Sequence, residues 1–170
     1  DDFPEAIGQF PDTVAKVYAR PNRRNLEVQV NTGRDTRLKS KAERAAAVAV
    51  LAPPTRSGAF RWAERLGITG KKAAEKFVPP AVFRLRDADV ELFLGRLWAG
   101  DGFIANATLK VPFYATSSRQ LAEDVQHLLL RLGIVGRIHG KQFKYKGGLK
   151  PGFMVHLLGD GAAETFLERV

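Results

Sequence analysis

One carboxylate stands where the sequence ends a helix, and it is the first residue of this chain that could do chemistry. Asp101 lies between Gly100 and Gly102, and glycine favours the left-handed backbone conformation that ends many helices. The helix macrodipole already places partial negative charge at that end, so a carboxylate there is disfavoured by a few tenths to about 1 kcal/mol. Something cationic beside Asp101 is the natural compensation.

The residues before Asp101 predict an amphipathic helix. Gly95 and Ala99 form a stripe of very small residues, along which another backbone can approach closely. Asp87 is expected to cap the helix at its N-terminus. Taken alone, an Asp-Gly pair after a helix is more often a turn than a metal site, so the wider pattern has to decide. Apolar residues recur at the spacing of one buried helical face, at Val90, Phe93, Leu94, Leu97 and Trp98.

The composition points to a polyanionic partner. The 170 residues include 27 lysines and arginines against 18 aspartates and glutamates, and the formal net charge of +9 favours nucleic acid. The length suits one domain or two small lobes, and 45% hydrophobic residues are enough for a core. No apolar run approaches the ~20 residues of a membrane span, and the first residues show no signal-peptide pattern. We therefore expect a cytoplasmic protein that does not contact membranes.

Residue types limit the metal chemistry of the chain. There is no cysteine, which excludes disulfides, thiolate zinc sites and thiol nucleophiles, and the three histidines show no metal-ligand spacing. Any metal ion must therefore be held by oxygen atoms, which suits Mg²⁺.

Three segments of the sequence resemble one protein family. Leu94-Gly-Arg-Leu-Trp-Ala-Gly-Asp-Gly102 resembles the dodecapeptide motif of LAGLIDADG homing endonucleases, in particular the second motif copy in inteins of replicative helicases and polymerases. Lys76-Phe-Val-Pro79 is similar to the Lys-x-Ile/Val-Pro element of the intein enzymes, and residues 114–134 resemble the same family almost position by position. The resemblance runs from about Phe60 to the C-terminus.

The resemblance implies both a fold and an activity. The fold would be α+β, built from αββαββα half-domains whose antiparallel sheets lie on DNA with a central motif helix behind each sheet. The activity would be site-specific hydrolysis of double-stranded DNA at a long recognition site. Asp101 and Lys76 would be catalytic, and Asp101 and Gly100 would hold Mg²⁺ as the cofactor. Motif helices of this family pack through their small faces, which is the role implied for Gly95 and Ala99.

The same resemblance divides the chain into two parts. Residues 1–86 are expected to form a partial first half-domain of a strand pair, a basic loop, a helix and a linker, without its motif helix. Residues 87–170 are expected to form a second, complete half-domain. The partner motif helix is expected from a segment before Asp1 or from another chain, and the substrate partner is double-stranded DNA.

Basic residues cluster where strand pairs would meet DNA. Thr13–Ala19 and Leu26–Val30 predict a hairpin with one apolar face and a basic tip, although a solvated turn explains that tip equally well. Residues 103–109 and 111–116 predict two strands after the motif helix, and residues 134–143 and 152–158 predict two more, joined by 144–151. No acidic residue lies between Asp124 and Asp160, which favours phosphate contacts over a solvated loop there. The DNA-binding candidates are Arg20, Arg23, Arg24, Lys110, Arg119, Arg137, Lys141, Lys144, Lys146 and Lys150.

Capping residues predict the remaining helices. Ser57 is expected to cap a helix that ends at Gly67, with Phe60, Ala63 and Leu66 inward. Ser117 and Gln120 predict a capping box for a helix over 119–132. Asp160 mimics the motif ending, but it follows a strand and precedes a helix, so we expect an N-cap and not a second catalytic acid. The core stripe of the 119–132 helix is expected at Leu121, Val125, Leu128, Leu129 and Leu132.

Two other functions are compatible with these residues. A DNA-binding module without catalysis, or a decayed endonuclease on the same fold, would bind DNA with strong salt dependence. An RNA maturase would use the same scaffold to bind structured RNA. Metal-dependent cleavage of duplex DNA separates the endonuclease from both.

Overall fold

The structure is a computed structural model that describes residues 3–19, 26–32, 56–105 and 111–170. These residues belong to two units, which divide between Thr69 and Gly70. Each unit has its own secondary structure and is described by itself. Among the described residues, every helix is too short or too polar to cross a lipid bilayer.

The first unit contains the predicted hairpin. Helix α1 (Phe3–Gly8) precedes strands β1 (Val14–Ala19) and β2 (Leu26–Asn31), which pair antiparallel with Val14 opposite Asn31 and Val17 opposite Val28. The apolar face expected on this hairpin is not covered by the described residues, since Val17 is 47% and Val30 40% exposed. The tip, with Arg20, Arg23 and Arg24, lies outside the described residues.

Helix α2 (Gly58–Arg65) begins as predicted but turns a different face inward. The Ser57 hydroxyl accepts a hydrogen bond from the Phe60 backbone N–H, and Gly67 follows the helix in the left-handed conformation. Phe60 is nevertheless exposed, and Ala59 is buried instead. The reason is that Gly58 N–H donates to the Pro11 carbonyl and Ala59 N–H to the Thr13 hydroxyl, which fixes the first turn with Ala59 inward. The prediction for Phe60 was therefore wrong.

The second unit has the predicted αββαββα order, which confirms the α+β fold. Two short 3₁₀ turns, Ala73–Glu75 and Val82–Arg84, precede the elements that form the body of the unit. The four strands form one antiparallel sheet in the order β3-β4-β6-β5. The elements are α3 (Asp87–Asp101), β3 (Gly102–Ala105), β4 (Val111–Thr116), α4 (Arg119–Arg131), β5 (Val135–Tyr145), β6 (Gly148–Leu158) and α5 (Ala162–Arg169).

The core of this unit lies between the helices and one face of the sheet. Both predicted apolar stripes pack there: Phe93 and Leu97 of α3 are partly buried, and the other members of the two stripes are buried. Helix α5 adds Phe166, whose ring centroid is 4.6 Å from that of Trp98. The fully buried Tyr114 and Val155 come from the sheet. The buried residues of the two long helices are Val90, Leu94, Trp98, Leu121, Ala122, Val125, Leu128 and Leu129.

Two of the predicted capping residues do not cap. Asp87 is the first residue of α3, where its carboxylate pairs with Arg131 at 2.8 Å, and the N-cap position belongs to Arg86. Asp160 makes no capping hydrogen bond, because Gly161 precedes α5 in a left-handed conformation. In both places tertiary or backbone constraints replaced the expected local hydrogen bond.

The cap of α4 is also shifted by one residue from its prediction. Ser118, and not Ser117, caps the helix, and its hydroxyl accepts from the Leu121 N–H at 3.1 Å. Gln120 therefore does not take part in a capping box and instead donates to the Asp124 carboxylate at 2.9 Å.

The β5–β6 hairpin is longer than predicted. Lys146 and Gly147, with φ of 48° and 80°, form a two-residue connection between Tyr145 and Gly148. Positive φ at both central residues is the type I′ turn, whose twist matches that of the flanking strands. The segment 144–151 is thus mostly strand, and the glycine pair expected to be a flexible tip closes a tight turn.

Helix α3 ends without the predicted left-handed residue. Asp101 is its last residue, as expected, but Gly102 is extended, with φ −86° and ψ 165°, and leads directly into β3. Glycine is required there for space: a Cβ on Gly102 would lie 2.2 Å from Trp98 Cδ1 and 2.7 Å from the Trp98 carbonyl oxygen. The stop therefore comes from a close approach to Trp98.

Replacing Gly102 with alanine is expected to destabilise the protein by about 1–3 kcal/mol, because the new methyl group overlaps Trp98. Gly100→Ala is the matched control. Nothing lies within 4 Å of a Cβ at that helical position, so alanine should stabilise by about 0.5–1 kcal/mol. Urea unfolding of the two variants and the parent measures both effects, and equal stability of the two variants would contradict this account.

Candidate active site and nucleic-acid interface

Asp101 and Lys76 lie next to each other, although they belong to separate segments of the sequence. The Lys76 Nζ is 3.9 Å from Asp101 Oδ2, and both side chains are more than half exposed. An ion pair of this length in water contributes at most about 1 kcal/mol. The pair therefore stabilises the fold little, and its interest is that an acid at a helix end has a cation beside it, as the helix macrodipole favours.

The backbone of Lys76 is fixed by the start of α4. The buried Ser118 hydroxyl donates to the Lys76 carbonyl at 2.5 Å while it caps the helix. Two residues later, the Val78 N–H donates to Asp124 Oδ2 at 2.8 Å. Val78 itself is buried in the core. The segment that carries Lys76 is thus held by one buried side chain and two hydrogen bonds.

No local pattern indicated the roles of Ser118 and Asp124 in this arrangement. A serine before a helix indicates a cap, and an aspartate in a helix indicates a solvated side chain. Their second partners, 42 and 46 residues away, are set by tertiary packing alone.

A cleft of ≈ 460 Å³ opens beside the pair and continues onto the sheet. Lys76, Gly100 and Asp101 line one side, and Lys141 and Met154 line the other. The carbonyls of the last helical turn lack intrahelical partners, so the Gly100 carbonyl is a free type of oxygen donor. The cleft is open enough to admit a phosphate group together with water.

The donor set around Asp101 fits Mg²⁺ only with help from other oxygen atoms. No group of three or more histidine, aspartate or glutamate side chains that could hold a metal ion occurs within the described ranges. Mg²⁺ is often bound by one or two carboxylates, with water and substrate phosphates completing its six ligands. One carboxylate beside an open cleft satisfies the protein part of that requirement.

Tyr114 lies in the core beside this site and stays neutral. Burial, and then the negative charge of Asp101, raise the pKa of its phenol to about 12. Its ring packs against Trp98 at 5.3 Å between centroids. Tyr114 is therefore a protonated core residue at neutral pH and is not a nucleophile.

The other face of the sheet is free of helices in the second unit. Tyr114 and Val155 face the core, and neighbouring residues on a strand point to opposite faces, so Phe113 and Met154 lie on this open face. By the same register, the DNA-binding candidates on the open face are Arg137, Lys141 and Lys150.

The remaining DNA-binding candidates are distributed differently. Lys144 lies on β5 with opposite parity, and Lys146 is at the turn. Arg119 lies on α4, which packs on the core face, and its Nε is 2.8 Å from Glu123 Oε1. Lys110 lies outside the described residues, as do the three arginines of the first hairpin tip.

Two histidines stand together on the open face. The His139 and His156 rings meet edge to face with centroids 5.3 Å apart. Partial burial, and then the charges of His139 and Lys141, lower the pKa of His156 below its ordinary value of 6.5. His156 is therefore neutral at pH 7 in the folded protein.

The small-residue stripe of α3 is partly covered within its own unit. A Cβ on Gly95 would lie 2.6 Å from the Val170 carbonyl oxygen, whereas Ala99 is exposed. A cavity of ≈ 370 Å³ lies along the stripe between Gly95 and Ile104, and Trp98 lines it. The buried Trp98 Nε1 has no hydrogen-bond partner among the described residues. Helix packing at Ala99 stays a prediction, and Gly95 already accommodates Val170.

Comparison with known proteins gives a consistent set of relatives. Residues 89–170 match the model of the LAGLIDADG-like domain. The replicative DNA helicase DnaB of Rhodothermus marinus is 47% identical over 92 residues, which are 52% of this chain and 10% of the helicase. DnaB of Synechocystis sp. is 34% identical over 114 residues, 65% of this chain and 13% of that protein. A DNA gyrase subunit of Mycobacterium gordonae is 40% identical over 77 residues, 43% and 14% respectively.

The matched part is a small share of each relative. The chain spans between 10% and 14% of the length of these three proteins. The similarity is therefore to one segment within each of them.

Ser118→Ala is expected to destabilise the protein by about 1–3 kcal/mol, because it removes the cap of α4 and leaves the Lys76 carbonyl unpaired in a buried place. Ser117→Ala is the matched control, since Ser117 does not cap the helix, and should change stability by less than about 0.5 kcal/mol. Thermal and urea unfolding measure the difference. A larger loss at Ser117 than at Ser118 would contradict the assignment of the cap.

Protonation of His156 is expected to oppose folding. Because the pKa of His156 is lower in the folded than in the unfolded protein, its contribution to stability is complete above pH ~6.5 and is lost as the pH falls from there through the folded pKa. His156→Gln should therefore lose less stability between pH 7.5 and pH 5.5 than the parent. His139→Gln removes one neighbouring charge and should give an intermediate slope. Denaturant unfolding at both pH values tests this, and identical slopes for all three proteins would refute it.

Proposed function

Residues 89–170 belong to the LAGLIDADG-like domain family, and on that premise we propose that the chain is part of an intein-encoded homing endonuclease. Its substrate is double-stranded DNA with a long, specific target site. It hydrolyses phosphodiester bonds with Mg²⁺. The similarity to segments within helicase and gyrase proteins supports an origin as an inserted domain.

The observation that carries this proposal is the pair formed by Asp101 and Lys76 beside an open cleft. The pair combines an exposed carboxylate that ends the motif helix with a cation 3.9 Å away. Both residues belong to the two segments that resemble the family's catalytic elements. The same cleft continues onto the basic open face of the sheet, so a bound duplex would bring a phosphate to the pair.

Each residue has a distinct role in this proposal. Asp101, with the Gly100 carbonyl, holds the metal ion, which activates water and screens charge on the phosphate. Lys76 neutralises negative charge that develops on the phosphate oxygens during hydrolysis. Neither side chain is the nucleophile, because the attacking group is water. Ser118 and Asp124 hold the Lys76 segment in place through its backbone.

The open face of the sheet supplies the DNA contacts. Arg137, Lys141 and Lys150 share this face, and the net charge of +9 favours association with a polyanion. Each phosphate contact should add about one unit to the salt dependence of binding. A two-stranded or larger sheet fits the major groove, where each base pair presents a distinct pattern of groups.

Cutting both strands requires a second acid, which a second motif helix would supply. We propose that this helix packs at the exposed Ala99 and along the cavity beside it. The helix comes from another segment of the full protein or from another chain. Two acids would then meet at the centre of the DNA site, one for each strand.

A DNA-binding module without catalysis is the second candidate function. One observation favours it: within the described residues Asp101 is the single acid of the cleft, and it already has a lysine beside it. Such a module would bind the same DNA through the same open face and would not cut it.

Asp101→Asn is expected to lower the rate of DNA cleavage by about 10²- to 10³-fold or more, because it removes the charged metal ligand. Asp160→Asn is the matched control. It makes the same change in the other Gly-Asp-Gly sequence, which lies between β6 and α5 and away from the cleft. The assay measures cleavage of a duplex, selected by its binding to the chain, with Mg²⁺ and with EDTA.

The outcomes separate the two candidate functions. Metal-dependent cleavage that Asp101→Asn abolishes and Asp160→Asn leaves intact supports the endonuclease. Selective binding without cleavage in Mg²⁺ or Mn²⁺ supports the non-catalytic module. An Asp101→Asn variant that cuts at the parent rate would refute the assignment of the site.

A further inference from the structure

The open face of the sheet in the second unit is divided into a basic half and an apolar half. The strands β5 and β6 carry Arg137, Lys141 and Lys150 on this face. On β3 and β4, every described residue of the face is apolar. We call this half the apolar patch, and it consists of Phe103, Ala105, Val111, Phe113 and Ala115, with Met154 of β6 at its border.

The aromatic rings of the patch form a row that runs across three strands. Phe103 and Phe113 are opposite each other in the register, with ring centroids 5.0 Å apart and planes at 9°. His156 continues the row from β6, 5.6 Å from Phe113 and at 22°. Parallel rings on neighbouring strands cover each other's faces, so the outward surface of the row is made of ring edges. Such a surface suits contact with small apolar groups better than stacking on a base.

The patch is exposed and needs a partner. Phe103 is 52% and Val111 37% exposed. Leaving apolar surface in water costs roughly 25 cal/mol per Å² relative to burial. An apolar surface of several neighbouring residues commonly marks a binding site.

Continuity with the basic half identifies the partner as duplex DNA. The patch and the basic residues share one sheet face, and Phe103 lines the same cleft as Lys76, Asp101 and Lys141. A duplex bound to Lys141 and Lys150 would extend over the patch to reach Asp101. In the major groove, the apolar group that bases present is the 5-methyl of thymine, which phenylalanine and alanine side chains contact favourably.

We propose that the apolar patch selects base pairs next to the cut by contact with pyrimidine 5-methyl groups in the major groove. This inference rests on the proposed function and adds its chemical basis of specificity. The basic half of the face positions the phosphates, and the patch recognises methyl groups on two or more neighbouring bases. The patch should therefore favour thymine or 5-methylcytosine over uracil or cytosine at the same positions.

The test replaces thymine by uracil, which removes only the methyl group and keeps base pairing. The 170-residue chain first selects a preferred site from a randomised duplex pool. Each thymine of that site is then replaced by uracil, and dissociation constants are measured by fluorescence anisotropy. We expect a loss of about fourfold in affinity for each contacted methyl group, equivalent to ~0.8 kcal/mol. Thymine at the contacted positions should be replaceable by 5-methylcytosine opposite guanine with a smaller loss than by cytosine.

Two variants connect the effect to the patch. Phe103→Ser with Phe113→Ser should bind thymine and uracil duplexes equally, because the methyl contacts are gone. Both side chains are on the open face, so the fold should persist, which circular dichroism verifies. Arg137→Gln is the control on the basic half. It should weaken both duplexes by the same factor and keep the thymine preference.

The outcomes distinguish this inference from the function on which it rests. Specific binding in which uracil equals thymine at every position overturns the inference and leaves the proposed function intact. A selected site without thymine at any position, or a double serine variant that still prefers thymine, overturns it as well. A pool that yields neither a preferred sequence nor binding defeats both the inference and the proposed function.

Discussion

The contact between Trp98 and Gly102 is the constraint on which the arrangement of the second unit depends. Trp98 is buried against Tyr114 and Phe166, and its ring and carbonyl leave no room for a side chain at Gly102. The chain therefore passes from helix to strand within one residue. Asp101, the residue between them, is placed at the edge of the sheet and out of the core. The position of the candidate catalytic acid thus follows from a packing contact on the opposite side of the backbone.

The candidate site is held by its backbone more than by its side-chain contacts. Lys76 and Asp101 are exposed and interact weakly, while the Lys76 segment is fixed by Ser118, Asp124 and the buried Val78. The Ser118 hydroxyl both caps α4 and binds the Lys76 carbonyl, so the folding of that helix and the placement of the lysine are coupled. A weak pair on a rigid frame lets a phosphate or a metal ion enter without the loss of a strong interaction.

Local patterns in the sequence predicted the elements, and tertiary contacts decided the rest. The apolar stripes of α3 and α4 follow from periodicity alone, and so does the order of elements that makes up the fold. Periodicity could not identify Ser118 as the cap, because its second partner is 42 residues away. It could not orient α2, whose first turn is fixed by Pro11 and Thr13. The aromatic row depends on the register of three strands, which single-strand patterns do not contain. Lys76 and Asp101 were paired through family resemblance, since neither residue type nor spacing relates them.

The type I′ turn at Lys146 and Gly147 has a consequence for how this protein can change over evolution. The turn fixes the register of β5 and β6 from the outside, and the ring of Phe143 covers Gly152 across the strands. The residues from Lys141 to Pro151 are almost all exposed, so they contribute little to the core. Substitutions at such surface positions usually change stability by less than about 0.5 kcal/mol. Mutations in the outer hairpin can therefore alter which DNA is preferred while the fold and the Asp101 site persist, so a new target can be acquired by small, tolerated steps.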